Sequence, residues 1–567
     1  MISMDSHKFR ANLLLFFFIG MFLLLIFKLF YLQIIKHSFY IQLSADQRLR
    51  AVELLPDRGD ILDRNGNVLA TSVDKWSIYV RPKAISNKDE VLSKLIKIDK
   101  KDEGLIRSKF SSNTNFWLRR KAEKDFAGKI AAIGSTGIDI TSEKKRIYPK
   151  GRLAAQLIGF SGLDNKGLSG IEQEFDSYLL GKPGKYVFER DPSGREITSG
   201  TSKQVQKSTE GMNIYLTIDE SIQYVAQREL EKYMKECKAI NGSITVVDIK
   251  TGDILAVAGY PDFDPNEYSK YPMENWKLSP FTNIYEPGST FKVIAASAGL
   301  EEGVVDLDSP IPVPDSIRIG GITVRNSHAL KMFGKAYKTL RDVIAESLNT
   351  GTAYIGIKLG PERYYKYIKN FGFGEYSGIE FPGEQRGMLR RPADWSKSDS
   401  ATYTFGQTIA VTPVQLVYAV AAIANEGVRI KPRLIRKIES IDEDIVRSVS
   451  PAQLGRAISV STSKKVKELM KGVATMTHGT GHKAVMSRFS VAVKTGTAQK
   501  PAPGGGYMKD RFVASIVGFC PAKDPAIAIL VVINEPKTSI WGATVAAPVF
   551  KNVGEFTLRY LNVAPDL

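Results

Sequence analysis

Glu286-Pro-Gly-Ser289-Thr-Phe-Lys292-Val-Ile-Ala-Ala-Ser-Ala-Gly-Leu300 reads as a turn that opens straight into a buried helix. Pro287 and Gly288 break the chain, and small and apolar residues from Val293 to Leu300 then fill a buried helix that ends near Gly303. Residues three apart share a helix face, which lets Lys292 lie against the Ser289 hydroxyl. Amides at the helix start, and the positive end of its dipole, favour an alkoxide and the oxyanion made from it. Burial favours the neutral, basic form of the lysine. A serine activated in this way needs no histidine.

The S-x-x-K string alone is weak, because it recurs at Ser72–Lys75, Ser142–Lys145 and Ser461–Lys464. Ser72 runs into the strand-like Trp76-Ser-Ile-Tyr-Val80, and Ser142 leads a basic stretch with no apolar helix behind it. Ser461 starts an amphipathic surface helix as its N-cap. Only Ser289 joins the string to a buried helix. Two later strings add to it. Ser347-Leu-Asn349 interrupts a helical region, 339–346 before it and 350–359 after, and can point its first and third side chains into one cleft. Ser490-Val-Ala-Val-Lys494-Thr495-Gly496-Thr497 is a short strand whose glycine marks a close approach by another backbone. The decoys Ser111-Ser-Asn113 and Lys250-Thr-Gly252 fall in a polar loop and a hairpin turn.

S-x-x-K, S-x-N and K-T-G in this order resemble the signature of the penicillin-binding proteins and serine β-lactamases. Arg58-Gly-Asp-Ile-Leu-Asp-Arg-Asn-Gly66, Gly170-Ile-Glu172 and Thr404-Phe-Gly-Gln-Thr-Ile-Ala-Val-Thr-Pro-Val-Gln415 look like further marks of the class B penicillin-binding proteins. The resemblance runs from the N-terminal apolar segment to about residue 560. Taken singly, these extra strings are a tight turn, a turn-to-helix junction and a helix start.

The 567 residues suffice for two or three domains. Ala11 to Phe27 is uncharged and, continued by Leu29 to Ile35, reaches a bilayer span. No small-residue cleavage site follows, so a signal anchor is expected over 11–35. Lys8 and Arg10 before it argue for a cytoplasmic tail at 1–10 and an exported bulk. A net charge of +18 admits nucleic acid or a membrane surface as partner. Its even spread, without basic runs interleaved with aromatics, argues against nucleic acid and for the membrane. Five scattered histidines, with glycines between His478 and His482, argue against a metal site. No cofactor fingerprint is present, and Cys237 and Cys520 are expected to be free thiols.

After a helix expected over 31–49, the first module, 36–211, alternates short strands and turns around a lysine-rich helical insertion at 88–109. The second, 212–567, begins with a strand at 213–218 and a helix at 221–235. Strands are expected at 243–248, 254–258, 490–497, 511–520 and 526–533, with a mostly helical stretch at 285–480 and a closing helix at 547–561. One sheet drawn from both ends of a domain predicts antiparallel strands covered by helices, in an α+β multidomain chain. The resemblance implies the detail: a single N-terminal transmembrane helix, an elongated, mostly-β non-catalytic pedestal or dimerisation module, and a serine β-lactamase-like transpeptidase domain on a five-stranded antiparallel sheet.

It further implies acyl transfer through Ser289, with Lys292 taking its proton and Ser347 relaying one towards the leaving amine. Asn349 would hold the donor amide. Amides of Ser289 and Thr497 would form the oxyanion hole, and Lys494, Thr495, Gly496 and Thr497 would bind the donor and its terminal carboxylate. The substrates implied are peptidoglycan stem peptides on lipid-linked precursors, with β-lactams as mimics. The partner implied is a polytopic glycan polymerase with other division proteins, at the outer face of the bacterial cytoplasmic membrane. The S-x-N form and Glu286-Pro-Gly look like the cell-division type. An elongation-type enzyme, a D,D-carboxypeptidase or β-lactamase, and a non-enzymatic scaffold or sensor stay open.

Overall fold

The computed structural model describes residues 3–54, 56–189, 197, 203–327 and 337–567. Residues 1–2 of the expected tail, and 55, 190–196 and 198–202 of the expected pedestal, lie outside these. The chain divides into two compact units, residues 1–56 with 181–210, and residues 57–180 with 211–567.

In the first unit a 28-residue helix, Ser3–Phe30, has a length of about 42 Å at 1.5 Å per residue. Among the described residues, one helical segment, His7–Ile35, is apolar and long enough to cross a membrane. The helix expected over 31–49 is not continuous. A π turn, Tyr31–Ile35, precedes a separate helix, His37–Arg48. Leu49 already belongs to a strand, Leu49–Leu54, that pairs antiparallel with Gly184–Glu189, which pairs in turn with Lys203–Gln206.

The second unit holds the expected five-stranded sheet. Its order is Ile254–Tyr260, Asn241–Asp248, Ile527–Asn534, Tyr507–Cys520 and Ala492–Pro501, antiparallel throughout. Glu220–Glu236 and Ala547–Tyr560 cover one face, and Pro413–Ala424 lies on the other. The inner strands are buried on both sides, as a sheet between helix layers requires. Ala492–Pro501 is the edge strand, so one of its backbone flanks carries no sheet partner. Cys237 and Cys520 are both buried and unpaired.

The strand Asn213–Leu216, expected simply to open the catalytic domain, does more. It runs parallel to Ile61–Leu62 and antiparallel to Ile435–Glu439, within a sheet that continues through Val68–Val80 to Phe116–Ala122. Short helices, among them Lys88–Ile98, Glu103–Ser111 and Lys124–Ala131, pack on the far end of that sheet. The 461–464 decoy sits in Val460–Thr475, whose N-cap is Ser459 rather than Ser461; the Ser459 hydroxyl accepts from Thr462 N.

Two of the three motifs outside the catalytic strings, Arg58–Gly66 and Gly170–Glu172, have structural work. The Asp63 carboxylate, fully buried, accepts from the amides of Asn65, Asn67 and Glu220 and so locks the tight turn. Glu172 is clamped between Arg58 and Arg146, each donating through Nε at 2.6 Å, and all three side chains are almost wholly shielded from water. Arg58 also reaches Asp176 at 2.6 Å. Removing the middle charge strands two buried guanidinium groups. Glu172→Gln is therefore expected to cost about 3–5 kcal/mol of stability, read from the denaturant midpoint of the full chain in detergent. A midpoint unchanged from the native protein would mean that water compensates the arginines.

Candidate active site

Ser289 lies in a 3₁₀ turn, Gly288–Phe291, which leads directly into the helix Lys292–Glu301. The turn is pressed onto the edge strand. A Cβ on Gly288 would come within 2.8 Å of Ala498 Cβ, and one on Gly496 within 2.5 Å of Ser515 Oγ and 2.9 Å of Thr290 Cγ2. Gly496 is thus the close approach that its place in a strand predicts. Gly406 closes the other side, its carbonyl accepting from Gly288 N at 3.1 Å.

The S-x-N string joins two helices, Leu340–Ala345 and Asn349–Asn370. Between them Ser347 takes a left-handed backbone (φ +63°), an unfavourable conformation for a residue with a side chain. Its carbonyl and hydroxyl both accept from Lys292 Nζ, the latter at 3.2 Å. Lys292 Nζ also donates to Asn349 Oδ1 at 2.7 Å, and Asn349 Nδ2 donates to Arg325 O at 2.8 Å. The strained turn is held by the lysine it serves.

From the opposite wall Lys494 Nζ donates to Ser347 Oγ at 2.9 Å and to Thr495 O at 3.0 Å. Two lysines therefore converge on one serine hydroxyl. Both are fully buried, and among the described residues no carboxylate pairs with either. Burial, and then the charge of Lys494, push Lys292 well below the ordinary lysine value; burial brings Lys494 down to about 7. The expectation that Lys292 is driven towards its neutral form agrees with this. Its bonds run to Ser347 and Asn349, and among the described residues the Ser289 hydroxyl makes no hydrogen bond.

Ser289, Ser347, Asn349, Thr495, Gly496 and Thr497 line a single cleft of about 490 Å³, with Lys292 and Lys494 beneath it. Thr480 and Trp541 also line it and escaped the sequence reading. The Thr480 hydroxyl is 2.8 Å from that of Thr495. Its signal was the Gly479-Thr-Gly481 string, weighed only as a spacer between histidines. The arrangement can deprotonate a serine hydroxyl at neutral pH, pass a proton through a second hydroxyl, and offer cationic and hydroxyl groups to a carboxylate.

Gly496→Ala tests how far this depends on the contact between turn and strand. The added methyl is expected to shift the turn, and a misplacement of about 1 Å can slow acylation by a β-lactam about a hundredfold. Near-native labelling kinetics would show that Ser515 and Thr290 yield without moving Ser289.

The penicillin-binding protein transpeptidase domain family matches residues 242–555, and the penicillin-binding protein dimerisation domain family matches residues 53–216. Stage V sporulation protein D of Bacillus subtilis is 31% identical over 572 residues, covering 100% of this chain and 88% of its own length. The peptidoglycan D,D-transpeptidase FtsI of Escherichia coli K12 is 31% identical, covering 94% and 89%. Among solved structures, penicillin-binding protein 3 of Mycobacterium tuberculosis complexed with aztreonam superposes with a TM-score of 0.72 at 27% identity, over 91% of this chain and 98% of that one. The chain belongs to the class B penicillin-binding proteins, and its catalytic domain is a serine-type D,D-transpeptidase domain.

Proposed function

We propose that this enzyme crosslinks peptidoglycan in septal wall synthesis, through an acyl-enzyme on Ser289. The observation that carries the reading is the convergence of Lys292 and Lys494 on Ser347 Oγ, with Ser289 on the wall of the same cleft.

In this mechanism neutral Lys292 takes the Ser289 proton as the hydroxyl attacks the carbonyl of the penultimate D-alanine of a donor stem. Entry of substrate draws Lys292 off Asn349, which frees the asparagine to hold the donor amide. The tetrahedral oxyanion sits between the amides of Ser289 and Thr497, each such donor contributing about 2.7–4 kcal/mol. Ser347 relays a proton from the lysine pair to the leaving D-alanine. Thr495, Thr497 and charged Lys494 receive the terminal carboxylate. The donor backbone adds to the free edge of residues 494–498 as a further strand. An amine on a neighbouring stem then takes the acyl group.

The septal assignment is supported by the S-x-N form, by Glu286-Pro-Gly before the serine, and by likeness to FtsI. Residues 11–35 serve as the anchor with 1–10 in the cytoplasm, 36–211 as the pedestal and 212–567 as the extracytoplasmic catalytic domain. A polytopic glycan polymerase meets the anchor and pedestal.

Labelling with a fluorescent penicillin, native beside Ser289→Ala and followed over hours, tests the core of this. A stable adduct lost in the variant is expected. An adduct that clears within minutes would favour a hydrolase, and an undiminished adduct in Ser289→Ala would remove the nucleophile assignment.

The pH dependence follows from the two lysines. The second-order acylation rate reports the free enzyme. It rises with pH as Lys292 loses its proton, well below the ordinary lysine range, and falls as pH climbs past about 7, where Lys494 loses its own. A rate flat from neutrality into the ordinary lysine range would show that Lys494 is not needed as a cation.

A further inference from the structure

A second cavity, of about 520 Å³, lies behind the catalytic turn. Its floor is the helix-bearing face of the sheet, at Ser243, Val513, Val532 and Asn534, and its roof is the segment Asn283–Glu286. The packing of Gly288 on Ala498 and Gly406 separates it from the catalytic cleft. Yet the two spaces meet along the edge strand: Ala498 lines the cleft, and Gln499 to Pro501 line the cavity. Its mouth carries Ile284, Met388 and Pro501, all exposed.

Among the described residues, two buried oxygens around this cavity, Tyr285 Oη and Asn534 Oδ1, have no hydrogen-bond partner, and the Glu286 carboxylate meets only the Thr408 amide and the Tyr507 hydroxyl. Buried polar atoms are rarely left so, and two beside a carboxylate around one space mark a place for a ligand. Asn534 Oδ1 and Glu286 accept, and the Tyr285 hydroxyl can accept, so a donor suits all three. The nearby cations are already committed, since Lys500 and Arg511 both pair with Glu535. Glu286 lines the cavity and keeps Oε1 on Thr408 N at 3.0 Å. The remaining lining is largely apolar and suits an aliphatic stem behind a charged head.

We propose that this cavity binds the side-chain ammonium of the donor stem's own diamino residue, with Glu286 as the anion that receives it. The inference rests on the donor lying along residues 494–498, as proposed above. Gln499 lies about 7 Å beyond Thr497 at the rise of a strand, so a stem residue just upstream of the two D-alanines falls beside the mouth. Donor and acceptor stems are the same polymer, and the acceptor's crosslinking amine is present on the donor as well. Burial raises the Glu286 carboxyl above its ordinary range, the Thr408 amide and then the Tyr507 hydroxyl acting against this. A docked ammonium restores the charge and supplies the missing donors.

The probes are Nα-acetyl-L-lysyl-D-alanyl-D-alanine and its Nε-acetylated counterpart, each competing with a fluorescent penicillin for the full-length protein in detergent. The readout is the ratio of their acylation rates, not either rate alone. The free-amine peptide is expected to acylate faster by about tenfold, the scale of one charge-assisted hydrogen bond. In Glu286→Gln, which keeps an oxygen for Thr408 N, the ratio is expected to fall to near one. A native ratio near one, or a ratio that survives Glu286→Gln, overturns the proposal while penicillin labelling leaves the Ser289 reading standing. A native protein that never labels overturns both.

Discussion

The catalytic centre depends on one interaction, a lysine amine sealed from water and set against three oxygens. Lys292 leaves the turn-and-helix element, crosses the cleft floor and bonds the carbonyl and hydroxyl of Ser347 and the amide oxygen of Asn349. Those bonds offset the cost of burying an amine and tie the two helices flanking the S-x-N turn to the nucleophile's own helix. They also hold Ser347 at a left-handed backbone that it would not adopt by preference. Without the amine the turn loses its restraint, and with it the aim of the second hydroxyl.

The sheet supplies the rest. Because the K-T-G strand is at an edge, its outer flank stays open for a peptide while its inner flank is fixed by Tyr507–Cys520. Gly288, Gly406 and Gly496 are small where two backbones must nearly touch. Bulk at any of them would separate the serine turn from the strand that carries the proposed oxyanion and carboxylate donors. Catalytic geometry is thus set by three missing side chains as much as by those present.

The reading of the chain succeeded where local pattern and long-range packing agree. The apolar run after Lys292 admits only a buried helix, and the alternation and turns at 241–260 and 507–534 admit only hairpins. It failed where the deciding contact is distant in sequence. Nothing around Lys292 says that its amine turns to Ser347 rather than to Ser289, since both choices satisfy the same spacing. Residues 31–49 read as one helix because the π turn at Tyr31–Ile35 leaves no mark in composition. Asn213–Leu216 reads as the start of a domain because its partners, Ile61–Leu62 and Ile435–Glu439, lie far off on either side. Thr480 was invisible for the same reason, its role being a hydroxyl contact to Thr495 across the base of the cleft.

Two lysines facing one hydroxyl in a site with no paired carboxylate pose an electrostatic problem with a single economical solution. Both are hard to charge at once in so dry a space: burial and then the charge of Lys494 hold Lys292 well below the ordinary lysine value, and burial brings Lys494 down to about 7. The unoccupied site is therefore neutral at Lys292 and poised at Lys494. A substrate that ends in a carboxylate supplies the missing counter-ion, raises the affinity of Lys494 for its proton, and by the same repulsion drives Lys292 further towards the neutral base. Binding the correct end of the peptide then prepares the general base for the chemistry that follows, and an uncharged end does not. Selectivity for a terminal carboxylate and activation of the serine are, in this arrangement, one electrostatic event.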